Sequence, residues 1–87
     1  MKDILLVEDN KELAVLIRDF LNREGYSVCW AGSGKEALDY MEVQPVKMLL
    51  LDIMLPEMDG FAVCRAVRAK WNLPVLIMSA RAGRDDK

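Results

Sequence analysis

The sequence contains no histidine among its 87 residues, only two cysteines, and no apolar run that approaches the length of a membrane-spanning helix. The absence of histidine excludes the commonest acid/base catalyst and the usual ligand of most transition-metal sites. Cys29 and Cys64 lie far apart within apolar patterns, which favours buried, reduced thiols over a disulfide or metal pair. A net charge of only -2 argues weakly against nucleic acid as a direct partner. We therefore expect a cytoplasmic protein that binds neither nucleic acid nor membrane.

The composition is that of an ordinary globular domain. Apolar residues make up 53% of the chain and charged residues 30%, a balance that indicates neither disorder nor a fibrous structure. The length suits one small domain, and the sequence shows no repeat, linker or low-complexity segment. We predict a single domain over residues 1–87.

Three short apolar runs, at residues 4–7, 49–51 and 75–78, and an alternating strand candidate at residues 26–31, typical of a more exposed outer strand, are separated by three helical patterns. The apolar positions expected on the helices are Leu13, Leu16, Ile17, Phe20 and Leu21 on the first, Ala37, Leu38 and Met41 on the second, and Phe61, Cys64, Val67 and Trp71 on the third. We expect Gly25 just past the end of the first helix and Ser33 as the N-cap of the second. The order βαβαβαβ predicts an α/β fold with a parallel sheet and right-handed crossovers.

Acidic residues follow two of the predicted strands. Asp52 stands where the apolar run 49–51 is expected to surface, and Glu8 and Asp9 follow the first run. If the first strand lies beside the third, these carboxylates share one crevice with Ser79, which follows the fourth strand. Such a group of like charges favours a hard cation, for which Mg²⁺ is the natural candidate. A carboxylate beside Mg²⁺ can attack phosphorus and form an aspartyl phosphate.

Three segments resemble the receiver domain of bacterial two-component response regulators. They are Glu8-Asp9-Asn10, the stretch from Asp52 through Pro56 to Gly60, and Ser79-Ala80. The middle segment is the most specific, because a proline and a glycine follow the aspartate by four and eight residues. The resemblance covers the whole chain and implies a flavodoxin-like, doubly wound sheet with strand order 2-1-3-4.

The resemblance also implies a role for each site residue. Asp52 would be the phosphoacceptor and Glu8 and Asp9 the acidic pair that holds Mg²⁺. Met54 would bind the metal through its backbone carbonyl, and the Ser79 hydroxyl would be the switch that moves toward the phosphoryl group. The implied partner is a sensor histidine kinase, and the domain would assist its own phosphorylation rather than turn over as an enzyme. Nothing in the residues indicates which kinase, stimulus or output domain is involved.

The chain departs from the family pattern after the fourth strand. Family members continue through a fourth helix, a fifth strand with a Lys-Pro pair, and a fifth helix, whereas this sequence ends at Lys87. We therefore expect a truncated receiver that is phosphorylated slowly and switches weakly without the family's lysine. The fourth strand, at residues 75–78, would be an apolar edge without charge or proline, a template for pairing with another chain. We expect self-association, element swapping or a complementing fragment, together with a partly bared apolar stripe on the first helix.

Several residues have simpler interpretations. Asp9 with Glu12 matches a D-x-x-E capping box at the start of the first helix. Glu8 alone is typical of a solvated strand end, Asp52 alone of a turn, and Ser79 alone of a turn or cap. A non-signalling structural or self-associating fragment with a vestigial site is the corresponding functional alternative.

A second functional alternative comes from residues 32–37, Gly-Ser-Gly-Lys-Glu-Ala. This segment matches the dinucleotide-binding pattern G-x-G-x-x-A, and Asp52 follows Gly32 by 20 residues. The pattern normally follows the first strand of its unit, whereas this segment follows the second. It also leaves Glu8, Asp9 and the spacing after Asp52 unexplained, so we favour the receiver interpretation.

Overall fold

The computed structural model describes residues 1–53, 55 and 59–78 of the chain. The strands are β1 (Lys2–Val7), β2 (Val28–Ala31), β3 (Val46–Asp52) and β4 (Val75–Met78). The helices are α1 (Lys11–Arg23), α2 (Gly34–Val43) and α3 (Gly60–Lys70). The element order βαβαβαβ is therefore confirmed within the described part of the chain.

The strands form one parallel sheet in the order β2-β1-β3-β4, as predicted. Val7 of β1 pairs with Ala31 of β2 on one side and with Leu51 of β3 on the other. Asp52, the last residue of β3, pairs with Met78 at the end of β4. Because these strands are parallel and end at similar levels, the residues that follow them reach the same edge of the sheet.

The two central strands are buried on both faces, which explains their unbroken apolar runs. One face meets α2 and α3, and its strand residues include Leu5, Val7, Leu49 and Leu51. The opposite face meets α1, and its strand residues include Ile4, Leu6 and Leu50.

Among the residues that the structure describes, none of the helices has the length and apolar character of a membrane span.

The first helix begins one residue later than a capping box at Asp9 requires. Asn10 is its N-cap, and the side-chain Oδ1 of Asn10 accepts a hydrogen bond of 3.1 Å from the Leu13 amide. Asparagine is among the best residues at this position. The capping-box interpretation, with Asp9 as N-cap, is therefore wrong.

The end of α1 follows the prediction. Gly25 adopts a φ of 99°, a left-handed conformation that glycine enters without a Cβ penalty. Its amide donates to the Asn22 carbonyl at 3.1 Å, and the Tyr26 amide donates to the Leu21 carbonyl at 3.0 Å. This pair of bonds is a Schellman motif, and it turns the chain from α1 toward β2.

Part of the apolar stripe on α1 is exposed, as expected. Ala14 is buried against the sheet, with Ile17 and Leu21 packed beside it. Leu16 and Phe20 point away from that contact and remain 68% and 53% exposed. The helix therefore carries more apolar surface than the described part of the sheet covers.

The buried face of α3 differs from the prediction. Gly60, Val63 and Val67 are buried, whereas Phe61 is exposed. The predicted stripe through Phe61 and Cys64 was wrong at its first position, because the helix is rotated so that small β-branched residues meet the sheet. Trp71 lies just after the helix as its C-cap, where the Lys70 ammonium sits 5.1 Å from the centre of its ring.

A polar cluster lies at the edge of the sheet opposite the acids. Asp3 and Ser27 exchange hydrogen bonds, with the Ser27 amide donating to Asp3 Oδ2 and the Asp3 amide donating to Ser27 Oγ, both at 2.9 Å. The Lys47 ammonium lies 3.4 Å from Asp3 Oδ1. The Ser27 amide lowers the pKa of the Asp3 carboxyl, Lys47 adds to the lowering, and partial desolvation opposes it. The cluster therefore joins β1 and β3 to the residue that precedes β2.

Both cysteines are free thiols, in agreement with the prediction of reduced cysteine. Cys29 and Cys64 are half-buried, less than the predicted burial. Desolvation raises the pKa of the Tyr40 phenol, and its hydrogen bond with Cys29 raises it further. This contact joins β2 to α2.

Candidate acidic cation site

The carboxylates of Glu8, Asp9 and Asp52 come together at the carboxyl edge of the sheet. One oxygen from each of these residues lies within 4.8 Å of the others. The adjacency of β1 and β3 produces this grouping, since Val7 pairs with Leu51 and the acids come directly afterwards. Residues far apart in sequence thus form one acidic crevice.

The crevice is less exposed than the sequence suggested. Glu8 and Asp52 are only 1% and 2% exposed, whereas Asp9 is exposed. The Oδ2 atom of Asp52 is shielded from solvent. Asp52 lies at the end of β3 as predicted but is buried there, and the simpler interpretation of Glu8 as a solvated strand end is wrong. Because buried carboxylates lose hydration, a cation bound here would be attracted more strongly than at an open surface.

Glu8 is held by its backbone and by its side chain. Its amide donates to the Ala31 carbonyl at 3.1 Å, and its carbonyl accepts a 2.7 Å hydrogen bond from the Trp30 indole Nε1. Its Oε2 accepts a 3.0 Å hydrogen bond from the Asn10 amide at the start of α1. The sequence analysis did not predict a role for Trp30 at this site. One signal was available, because tryptophan combines an apolar ring with an N–H donor and Trp30 lies near the end of β2, the strand beside β1.

Asp52 is positioned by a close approach between β3 and α3. The Gly60 amide donates to the Ile53 carbonyl at 3.0 Å. A Cβ at Gly60 would lie 2.5 Å from the Ile53 Cα and 2.8 Å from the Asp52 carbonyl oxygen, so only glycine fits here without displacing backbone. Asp59 caps α3 by accepting a 2.8 Å hydrogen bond from the Ala62 amide. The first residue of α3 is thereby held against the end of β3.

Two predicted site residues, Met54 and Ser79, lie outside the described residues. Their roles as carbonyl ligand and switch hydroxyl stay predictions.

The donor set of the crevice consists of carboxylate oxygens, the ligands that hard divalent cations prefer. Mg²⁺ is typically held by one or two carboxylates together with water and phosphate oxygens. Glu8, Asp9 and Asp52 therefore fit Mg²⁺ in both charge and ligand type.

The glycine-rich turn before α2 is occupied by its own side chains. Ser33 caps α2 as predicted, its Oγ accepting from the Glu36 amide at 3.2 Å. The Glu36 carboxylate in turn accepts a 2.8 Å hydrogen bond from the Gly32 amide. The Gly32 amide, which a dinucleotide pyrophosphate would need as a hydrogen-bond donor, is therefore already bonded to the Glu36 carboxylate. In addition, β2 is the outermost strand on its side of the described sheet. Both observations argue against the dinucleotide alternative.

The fold and the crevice define a class of protein: an open, parallel α/β domain with an acidic site where its central strands end. Comparison with known families identifies the class, since the response regulator receiver domain family matches residues 4–87. The chain belongs to this family, and with it to two-component signalling proteins.

Individual relatives agree with this assignment. The chain is 37% identical over 86 residues to the response regulator GtcR of Aneurinibacillus migulanus, a match that covers 99% of this chain and 36% of GtcR. It thus spans about a third of that relative's length.

Solved structures show the same flavodoxin-like fold. The response regulator TrrA of Thermotoga maritima, solved in complex with Mg²⁺-BeF, matches with a TM-score of 0.87 and 31% identity over 99% of this chain and 76% of TrrA. The Francisella response regulator 1452 receiver domain matches with a TM-score of 0.86 and 28% identity, covering all of this chain and 73% of that domain.

Proposed function

We propose that this receiver domain accepts a phosphoryl group on Asp52 from a sensor histidine kinase, in a reaction that requires Mg²⁺ held by Glu8, Asp9 and Asp52. The observation that carries the proposal is the convergence of these carboxylates within 4.8 Å. The TrrA complex with Mg²⁺-BeF supports it, because that relative shares the fold and binds the metal together with a fluoroberyllate.

The residues of the crevice divide the chemistry between them. In the proposed transfer a carboxylate oxygen of Asp52 forms a bond to phosphorus while the bond from phosphorus to the donor breaks. Bound Mg²⁺ would supply positive charge to balance the phosphoryl oxygens. Glu8 and Asp9 hold that cation, and the shielded position of Asp52 limits access of water to it. We add two further groups to the proposed site on the basis of the sequence motif alone. These are the backbone carbonyl of Met54, as a metal ligand, and the hydroxyl of Ser79, as the switch.

The direct test is the intact mass of the chain after incubation with acetyl phosphate, with and without Mg²⁺. We expect a gain of one phosphoryl group only with Mg²⁺, at a slow rate, and its removal by hydroxylamine because an aspartyl phosphate is an acyl phosphate. A folded sample that gains no phosphoryl group and binds no Mg²⁺ would support the vestigial-site alternative instead. Saturable binding of NAD would support the dinucleotide alternative.

We also propose that a second copy of the chain pairs with β4. In the described sheet β4 is the outermost strand on its side, and Leu76 at its centre is 55% exposed. Its residues, Val-Leu-Ile-Met, carry no charge or proline, the features that usually protect such edges.

The predicted cytoplasmic location and the absence of a nucleic-acid partner stay predictions.

Leu76→Lys is expected to abolish this self-association. A lysine at the centre of β4 places a charge in the proposed interface and leaves the buried core of the domain unchanged. Light scattering over a range of concentrations should show a mass that rises with concentration for the unmodified chain and stays at the monomer value for the variant.

Val43→Lys is the matched control, because Val43 is an equally apolar, 76% exposed residue on α2, away from β4. It should associate like the unmodified chain. A concentration-independent monomer for the unmodified chain would refute the proposal.

A further inference from the structure

We propose that Trp30 is a positioning residue of the acidic site and raises its affinity for Mg²⁺ by fixing the peptide group between Glu8 and Asp9. The inference rests on the proposed function, since it concerns the same cation. Its starting point is the 2.7 Å hydrogen bond that the Trp30 indole Nε1 donates to the Glu8 carbonyl. That carbonyl belongs to the peptide that joins the two neighbouring acids.

Consecutive residues of β2 hold Glu8 on both sides. The Ala31 carbonyl accepts from the Glu8 amide at 3.1 Å, and the Trp30 indole donates to the Glu8 carbonyl. Both bonds are made by Glu8, the residue after the last paired residue of β1, Val7; the first comes from the backbone of β2 and the second from a side chain of β2. The Trp30 side chain thus holds one further peptide group, the one between Glu8 and Asp9, beyond the end of β1.

The indole is itself well positioned for this task. Trp30 packs half-buried against the apolar cluster beneath α1, whose members include Leu6 and Ala14. Tryptophan has only two side-chain torsions, so packing of the ring also fixes the direction of its N–H. The packing of the core therefore determines where the Glu8 carbonyl points.

The side chain of Glu8 is fixed from the other direction. Its Oε2 accepts a 3.0 Å hydrogen bond from the Asn10 amide, which follows Asp9 directly. The Trp30 and Asn10 bonds thus hold the segment from Glu8 to Asn10 at a peptide carbonyl as well as at a carboxylate. Without the indole bond the like-charged carboxylates of Glu8 and Asp9 would be freer to turn apart, and a cation would have to reassemble them on binding.

We test the inference by Mg²⁺ titration calorimetry on Trp30→Phe and on a semisynthetic chain with benzothienylalanine at position 30. The second variant keeps the bicyclic ring and lacks only the N–H donor, so it separates the hydrogen bond from ring packing. We expect Mg²⁺ affinity about three- to tenfold weaker in both, which corresponds to the net contribution of one hydrogen bond. Far-UV circular dichroism before each titration ensures that only folded protein is compared.

Trp71→Phe is the matched control. Trp71 follows the C-terminal end of α3, whereas Gly60, at the N-terminal end of that helix, lies against the Asp52 backbone. It should bind Mg²⁺ like the unmodified chain. As the chain then retains Trp30 as its only tryptophan, its fluorescence should also change with the same Mg²⁺ dependence. The Trp30→Phe variant, which retains only Trp71, should show no such change.

The outcomes separate this inference from the proposed function. If the unmodified chain binds Mg²⁺ and the benzothienyl variant binds it equally well, the role of Trp30 is refuted and the proposed function stands. If the folded, unmodified chain binds no Mg²⁺, both are refuted. Weaker binding in both position-30 variants, with unchanged binding in the control, supports the inference.

Discussion

Asp52→Asn is expected to abolish the Mg²⁺-dependent gain of a phosphoryl group from acetyl phosphate. The substitution keeps the size of the side chain but removes the nucleophilic carboxylate from the end of β3. It also removes one of the carboxylates of the crevice, so Mg²⁺ affinity should fall about tenfold or more, since few direct ligands remain. Intact mass and Mg²⁺ titration measure the two effects separately.

Asp39→Asn is the control for this change. Asp39 is an exposed residue of α2 whose carboxylate pairs with Lys35 at 3.1 Å, and such surface pairs contribute little to stability. The control should gain one phosphoryl group like the unmodified chain. A phosphoryl gain in the Asp52→Asn variant would place the modification on another residue and refute the assignment of the phosphoacceptor.

Gly60→Ala is expected to have the largest effect on stability among the single substitutions considered. The new methyl group would lie 2.5 Å from the Ile53 Cα and 2.8 Å from the Asp52 carbonyl oxygen, which are backbone atoms that cannot rotate away. We expect a loss of about 1–3 kcal/mol in the free energy of unfolding. For a domain of this size each kcal/mol corresponds to roughly 4–8 °C in melting temperature. Because the displaced backbone carries Asp52, Mg²⁺ affinity should fall as well.

Gly32→Ala provides the comparison, because a Cβ there would meet only the flexible Glu36 carboxylate, at 3.4 Å. Its unfolding free energy should stay within about 0.5 kcal/mol of the unmodified value. Urea unfolding followed by tryptophan fluorescence measures both variants. A Gly60→Ala protein as stable as the Gly32→Ala protein would show that the end of β3 and the start of α3 are less tightly packed than the structure indicates.

The proposed site gains its properties from burial as much as from charge. Glu8 and Asp52 lie almost wholly out of solvent, while Asp9 remains exposed at the mouth of the crevice. An exposed carboxylate beside two buried ones offers a cation a route from water into the site. The same arrangement lets the buried members interact with the cation in a medium of lower dielectric constant.

The sequence by itself determined the elements and their order. The apolar runs of β1 and β3 are long enough to indicate strands buried on both faces, and the helical patterns between them require parallel crossovers. Strand order then came from family resemblance rather than from periodicity, and the structure agrees with it. Caps with a local cause, such as Ser33 before α2 and Gly25 after α1, were also predictable, because their hydrogen bonds join residues a few positions apart.

Only the tertiary structure decided what each site residue touches. The sequence offered Asp9 as a possible cap of α1, whereas the structure uses Asn10. The Glu8 carbonyl bonds to Trp30, more than twenty residues away, and the backbone of Asp52 and Ile53 is in close contact with Gly60. The periodicity of apolar residues shows which residues share a face of one helix or strand. Burial, close approach and hydrogen bonds between strands depend on residues that are distant in sequence and are brought together by packing, so a local sequence pattern does not predict them.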